Sequence, residues 1–592
     1  MSYRRLVFVF GGFLGLSVLL LGLGGCGSSG PGKTAPTPSY ALTASALSPS
    51  SVTAGNTATS TITVTPANGY TGSVTVSCSS VSGGTPAPTC AFTGNPIAIT
   101  GAAAGTATLT VSTTSSTPGG SYTIKVTGSD AGNLAPSDGA QALALAMTAV
   151  IQRVVIIFQE NRTPDNLFQD PVLYNPPRNA DIAQSGLDST NQTITLAPID
   201  LGTAGSNPQN YDLSHAHSAF VSMYNGGLMN GANLIPCSPA ANCPPNAHPN
   251  PQFMYVNPAD VAPYFAMAEQ YTFGDHMFQT NEGPSFPAHQ FIFSGTSAPA
   301  VGSDLFASEN MSLAVGITNA NAGCIADPTT TVKMIDPSGN EANPADPPEY
   351  PCFEHPTMAD LLDAANVSWR YYTPSAGSIW TAPDAIESIC GPNATPPNAT
   401  ACVGSDWTNN VIIPQWQVLQ DIANGQLAQV SWVIPDGAQS DHAASNNGSG
   451  PSWVASIVNT IGNSPYWSNT AIIITWDDWG GWYDHVAPKV IDDGVSWGSG
   501  YVYGFRVPLI VVSPYARAAY TSTVTHDFGS ILKFIENTYN LPSLGYADAP
   551  ADDLSDCFNL SQTPITFKTI AAPLDAAYFI NNKSAPVDPD DD

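Results

Sequence analysis

The sequence predicts two folded units of different class: an all-β sandwich over residues 40–148 and an α/β domain, built on a sheet of buried strands, over residues 150–592. Two apolar runs predict the second unit. Arg153-Val154-Val155-Ile156-Ile157-Phe158 and Thr470-Ala471-Ile472-Ile473-Ile474-Thr475 are continuous and rich in β-branched residues, the pattern of strands covered on both faces in a parallel sheet. A composition break predicts the first. Residues 40–148 are dominated by Thr, Ser, Ala, Gly and Val with almost no charge or large aromatics, and the chain beyond them is not.

Taken in order, Arg4 and Arg5 precede an apolar stretch over residues 6–23 that is too short and too Gly-rich for a membrane span. It reads as a signal peptide over residues 1–26. Leu23-Gly24-Gly25-Cys26 has the composition of a lipoprotein box, so export and a lipid anchor on Cys26 are expected, with an ordinary secretory signal as the alternative. Residues 27–39, rich in Ser, Gly, Pro and Thr, read as a flexible tether.

Within residues 40–148, Thr61-Ile62-Thr63-Val64-Thr65, Ser73-Val74-Thr75-Val76-Ser77, Ala107-Thr108-Leu109-Thr110-Val111 and Tyr122-Thr123-Ile124-Lys125-Val126 alternate with period two. Gly, Pro and Asn clusters separate them. Short alternating strands at such intervals suggest an immunoglobulin-like sandwich. No residue there looks catalytic, and a spacer or adhesive module is the expected role.

Ten cysteines minus Cys26 leave nine, several in close sequence pairs. In an exported chain these suggest disulfides, and proximity pairs Cys78 with Cys90, Cys237 with Cys243, Cys324 with Cys352 and Cys390 with Cys402, leaving Cys557 over. No CxxC pair or Cys-His cluster supports the rival reading, zinc. The formal charge of −30, from 15 basic against 45 acidic residues, argues against nucleic acid as a partner. A site for an anionic substrate then needs local positive charge, from a metal and basic side chains such as Arg162 and Arg506.

The candidate site begins where the second apolar run ends, at Asp477-Asp478-Trp479-Gly480-Gly481-Trp482-Tyr483-Asp484-His485. Ligand crevices of open α/β sheets lie beyond the carboxyl ends of the strands, and adjacent carboxylates there suit a metal better than a core. A solvated loop is the plainer alternative. Gln159-Glu160-Asn161-Arg162 follows the first run, and if the two strand ends face each other, Glu160 and Asn161 add one anionic and one neutral oxygen of the kind that suits a divalent cation.

Gln159 to Asp165 (QENRTPD) resembles the QENRSFD signature of the bacterial phosphoesterase family that includes phospholipases C and a class of acid phosphatases. Further segments are similar in the family's order: Asp212-Leu213-Ser214-His215 with Asn225 to Gly231; Asp275 to Phe278; Gly283-Pro284-Ser285-Phe286-Pro287-Ala288-His289; Ser440-Asp441-His442; Asp477 to His485; Gly504-Phe505-Arg506-Val507-Pro508 with Ser513-Pro514-Tyr515; and the stretch from His526. The resemblance spans about residues 150–559. Thr163-Pro164 replaces Ser-Phe, Asp478 the commoner Glu, Trp479 a usually smaller residue or His, and Ala288-His289 replaces Asn-Arg.

The resemblance implies an alkaline-phosphatase-like sheet flanked by helices and a metal-dependent hydrolase of a phospholipid or soluble phosphomonoester. It places Ser285 as nucleophile, forming a phosphoseryl intermediate, and Glu160, Asn161, Asp477 and Asp478 as ligands of a divalent ion of unstated identity. His215 and His442 would bind phosphate or protonate the leaving oxygen; Asp484, His485 and Arg162 would touch substrate or support the site. Two alternatives are a degenerate surface binding or adhesion lipoprotein and a sulfatase-like hydrolase. The first should already have lost Ser285 or a paired acid; the second needs an Arg that Ser285-Phe286-Pro287-Ala288-His289 lacks.

Overall fold

The structure, a computed structural model, describes residues 36–587 apart from 116, 203–210, 239–242, 244–246, 313–320, 342, 344, 492–500 and 583. The expected signal peptide, lipid-anchor Cys26 and most of the tether lie outside those residues. No described helix is long and apolar enough to cross a membrane.

Residues 39–148 form two sheets. One contains Ser39–Ala44, Thr57–Ala67, Gly105–Ser112 and Thr89–Thr93 in that spatial order, the other Ser51–Thr53, Gln141–Thr148, Gly120–Ser129, Gly72–Ser82 and Ile97–Ile99. All four alternating segments fall inside these strands. Alternation sends Ile62 and Val64 of one sheet and Val76, Ile124 and Leu145 of the other into a single buried cluster. The Cys78–Cys90 disulfide ties a strand of one sheet to a strand of the other. Val150 packs against this cluster and Ile151 belongs to the core of the larger domain, so the boundary falls between them.

The larger domain is organised by an eight-stranded sheet. In chain order its strands are β1 (Arg153–Gln159), β2 (Thr272–Gly274), β3 (Trp369–Tyr372), β4 (Val411–Ile412), β5 (Val430–Val433), β6 (Thr470–Trp476), β7 (Leu509–Val512) and β8 (Tyr520–Ser522). Their spatial order is β4-β3-β5-β1-β6-β7-β2-β8. Both runs singled out from sequence are central: β6 is buried throughout, and β1 at every position after Arg153. The surroundings of β6 are not purely parallel, however. It pairs parallel with β1 and antiparallel with β7, because the excursion between β6 and β7 returns into the sheet from the same end without a crossover.

In register, Ile156 stands beside Trp432, and Gln159 beside Trp476, so pleating puts the two tryptophans on opposite faces. Phe293 of the helix Ser285–Ser294 packs edge-on against Trp432, while Tyr264 of the helix Ala262–Gln270 packs against Trp476. Helices therefore cover both faces. The α/β architecture is as expected, and the four disulfides join the cysteines paired from sequence, with Cys557 free and buried. A cavity of about 320 Å³ lies where the two domains meet, lined by Pro86 and Pro118 on one side and Phe534 and Phe558 on the other.

Candidate active site and metal centre

Because β1 and β6 are neighbours in register, their carboxyl ends deliver Glu160-Asn161 and Asp477-Asp478 to one place. The Asp477 N–H donates to the Gln159 carbonyl at 3.0 Å, and the Asn161 N–H donates to Asp477 Oδ1 at 3.1 Å. Asn161 has φ +62°, a left-handed conformation that Asn tolerates better than most residues. Gly480, at φ +63°, lies so close that a Cβ there would sit 2.5 Å from the Asn161 carbonyl oxygen. The Gly-Gly pair is needed for this approach, which lets the loop after β6 fold onto the turn after β1.

Ser285 is the first residue of its ten-residue helix, and its Oγ donates to Asp478 Oδ2 at 3.1 Å. Asp478 Oδ1 accepts from the Gly480 N–H at 2.7 Å. Gln279 ties the loop before Ser285 to the acidic loop: its Nε2 donates to the Asn281 and Gly283 carbonyls, and its Oε1 accepts from the Trp479 N–H. His215 donates from Nδ1 to the Leu213 carbonyl at 3.0 Å, which leaves Nε2 to accept from the Asn161 side-chain amide at 3.2 Å. His442 likewise donates from Nδ1 to the Ala443 carbonyl at 2.7 Å, and its ring lies 5.6 Å from that of His215.

Glu160, Asn161, Asp477 and Asp478 are all 0 % exposed. Burial, and then the charges of Asp477, Asp478 and Asp441, push the Glu160 pKa well above the ordinary carboxylate range. Burial followed by Asp477 does the same to Asp478. Three of their side-chain oxygens have no hydrogen-bond partner among the described residues: Glu160 Oε2, Asn161 Oδ1 and Asp477 Oδ2. Since buried polar atoms are normally satisfied, orphaned oxygens among carboxylates make a donor set that suits a divalent cation.

The site residues read from sequence divide into two groups. Ser285, Glu160, Asn161, Asp477, Asp478, His215 and His442 come together. Arg162, Asp484 and His485 do not reach this cluster through their hydrogen bonds. Arg162 gives Nε and Nη2 to the Asp441 carbonyl at 2.9 and 2.6 Å, holding the turn that carries His442, and stacks 5.1 Å from Trp482. Asp484 is paired bidentately with Arg506 at 2.9 Å, and His485 bridges Asp165 and Asp181 at 2.8 and 3.0 Å. Arg162 and Arg506 thus do not provide the free positive charge expected of them, since buried guanidinium groups are held by the anions and carbonyls that compensate their desolvation.

His289 stands in one of the family-like segments without being among the candidates read from sequence, yet it joins this cluster. Its Nε2 lies 3.3 Å from Glu160 Oε1 and 3.8 Å from Asp477 Oδ2, the ring is 0 % exposed, and Nδ1 has no hydrogen-bond partner among the described residues. Burial holds its pKa down to about 4, against the pull of Asp477. A signal exists in the spacing, because residues four apart on a helix share a face and Ser285 fixes which face this is. Asp441 is a second residue of this kind. It accepts from the Tyr264 hydroxyl at 2.9 Å and from Trp476 Nε1 at 3.0 Å, locking the segment before His442.

Among proteins of known sequence, the chain is 29% identical over 261 residues to "Phospholipase C A" of Mycobacterium tuberculosis, covering 39% of this chain and 49% of that protein. It is 25% identical over 432 residues to "Hemolytic phospholipase C" of Pseudomonas aeruginosa, covering 66% of this chain and 53% of that one. The chain spans about half the length of these relatives. Among solved structures, "a Protein in the Alkaline Phosphatase Superfamily from Vibrio parahaemolyticus" matches at 11% identity with a TM-score of 0.30, covering 69% of this chain and 70% of that one. The Phosphoesterase family profile matches residues 151–542, the span that holds both strand ends and the Ser285 helix, and the chain therefore belongs to the Phosphoesterase family.

Proposed function

We propose that the chain is an exported, metal-dependent hydrolase of phosphoesters in which Ser285 is the nucleophile. The observation that carries this reading is the buried set of Glu160, Asn161, Asp477 and Asp478, with three orphaned oxygens, gathered against the Ser285 hydroxyl. These four side chains would hold the cation. When bound, it lowers the pKa of the serine hydroxyl and screens the non-bridging phosphate oxygens.

Asp478 orients the Ser285 hydroxyl, and the N-terminal end of the helix adds a partial positive charge next to the phosphoryl group. Ser285 Oγ, passing its proton to Asp478, forms a bond to phosphorus as the bond from phosphorus to the leaving oxygen breaks. A phosphoseryl group results, and water then releases it. His215 and His442 have their Nδ1 atoms committed to backbone carbonyls, which fixes both rings and leaves Nε2 as the nitrogen that can serve the reaction, in His215 by giving up its contact with the Asn161 amide. Protonated, either can donate to the leaving oxygen. Arg162 and Asp441 position His442; Asp484 and His485, with Arg506, brace the loop after β6.

The substrate is a phospholipid or a soluble phosphomonoester. The N-terminal all-β domain is read as an immunoglobulin-like spacer, with a lipid on Cys26 holding the enzyme at a cell envelope. The test is Ser285→Ala, assayed on phosphatidylcholine and on p-nitrophenyl phosphate. Turnover should fall by roughly three orders of magnitude or more with the melting temperature nearly unchanged. Near-normal kcat in a variant free of wild-type enzyme would remove Ser285 from the role, and the preferred substrate of the wild type separates the two activities.

A further inference from the structure

Ser285 and His289 stand one turn apart on the same helix and meet different members of one carboxylate cluster. The hydroxyl meets Asp478 at 3.1 Å, and the imidazole Nε2 meets Glu160 at 3.3 Å and Asp477 at 3.8 Å. One ligand atom from each of Glu160, Asp477 and His289 lies within 4.8 Å of the others. Around a single ion with bonds of about 2.1 Å, neighbouring and opposite ligand atoms lie roughly 3.0 and 4.2 Å apart, so a small inward movement brings all three onto one cation.

Protein hydrogen bonds alone do not satisfy this group. Glu160 Oε2 and Asp477 Oδ2, oxygens of the two carboxylates beside His289 Nε2, lack hydrogen-bond partners among the described residues at 0 % exposure. A histidine serving only as a donor to Glu160 would leave both carboxylates with open lone pairs in a dry interior, where an unsatisfied polar atom is strongly unfavourable.

We propose that His289 is a nitrogen ligand of the metal, so that the site prefers a borderline ion such as Zn²⁺, Fe²⁺ or Co²⁺ over Ca²⁺ or Mg²⁺. The inference rests on the metal-dependent reading above and adds the identity class of the ion. Its physical basis is ligand softness: an all-oxygen cage suits Mg²⁺ and Ca²⁺, and a neutral imidazole raises affinity for the later first-row metals.

The experiment strips the full-length protein of metal and titrates it separately with Zn²⁺ and Ca²⁺, using wild type, His289→Gln, His289→Ala and Asp477→Asn. Pulsed EPR of the Mn²⁺-loaded wild type, which depends on no variant, reports whether a ¹⁴N nucleus is directly bonded. The expected result is a ¹⁴N coupling in wild type that disappears in His289→Gln. Zn²⁺ affinity should fall by about 30-fold in that variant, with Ca²⁺ affinity within about threefold of wild type. Absence of the coupling from wild type, or its persistence in His289→Gln together with unchanged Zn²⁺ affinity, overturns the assignment. Asp477→Asn should weaken both ions, and if it does while His289→Gln does not, the metal site stands and only the histidine ligand is lost. A wild type that binds neither ion defeats both readings. His289→Ala repeats the measurement without the amide oxygen that Gln could offer as a substitute ligand.

Discussion

Removing the metal should destabilise the protein in a way that grows with pH. Ligand atoms of Glu160 and Asp477 lie within 4.8 Å of each other in a fully buried site. Two unit charges at that distance repel by about 3.5 kcal/mol at an effective dielectric constant of 20, and Asp478 adds to this. Protonating one carboxylate at pH 7 costs about 3.4 kcal/mol from an ordinary Glu pKa, so the two costs are comparable and the metal-free site takes up a proton. This agrees with the upward displacement of Glu160 by burial and by Asp477. A folded-state pKa above the unfolded value means that the metal-free folded form binds more protons than the unfolded chain. Its stability therefore falls as pH rises above about 4.5. An ion present at a thousand times its dissociation constant contributes about 4 kcal/mol, which for a domain of this size is a melting-temperature difference of roughly 5 °C. The assay is differential scanning fluorimetry of chelated and reloaded protein between pH 5 and pH 8, with elemental analysis of each sample. The stripped form should melt lower, the gap should widen toward pH 8, and reloading should release protons to buffer. A fully active preparation holding less than about 0.1 divalent ion per chain would refute the reasoning.

Three further outcomes follow from the geometry. Burial lowers the His485 pKa, but its bonds to Asp165 and Asp181 outweigh that and hold it up to about 10; its contribution is thus complete below about pH 6.5 and is lost as pH rises toward 10, and His485→Gln should cost about 2 kcal/mol at pH 6, discounted for partial exposure, and much less at pH 10, read by urea denaturation. Gly480→Ala puts a Cβ 2.5 Å from the Asn161 carbonyl oxygen at φ +63° and should cost about 3 kcal/mol, with metal affinity falling alongside; a normal melting temperature would show that the loop yields freely. Residues 151–592 alone should keep kcat on a soluble phosphoester within a few-fold of the full chain, because Ile151 begins the core of the larger domain and the N-terminal cluster is separate; a folded, metal-binding truncation without activity would show that the two domains act together.

Legibility from sequence follows burial. Strands β1 and β6 are readable because every residue of β6, and of β1 beyond Arg153, is covered, so polar alternation is excluded there. Short strands such as β4 and β8, two and three residues long, carry no period to read. The antiparallel direction of β7 is invisible for a related reason: Leu509–Val512 is as apolar as a parallel strand, and its direction is set by where the preceding loop re-enters the sheet. Ligand candidates at strand ends are legible because adjacent acids directly after an apolar run repel each other unless a cation or a proton intervenes. His289 is not, since it sits in an apolar helix and its partners arrive from β1 and β6, more than a hundred residues away in each direction.

Charge closes the argument. With 45 acidic and 15 basic residues, the chain repels a phosphate anion at long range, and the two arginines best placed by sequence to offset this are engaged internally: Arg162 with the Asp441 carbonyl and Arg506 with Asp484 and Asp165. Binding a phosphoester beside three buried carboxylates would then be unfavourable unless positive charge arrives with a cation. On the proposed mechanism the ion would be needed for substrate binding as well as for activating Ser285, and its loss should raise KM and lower kcat together.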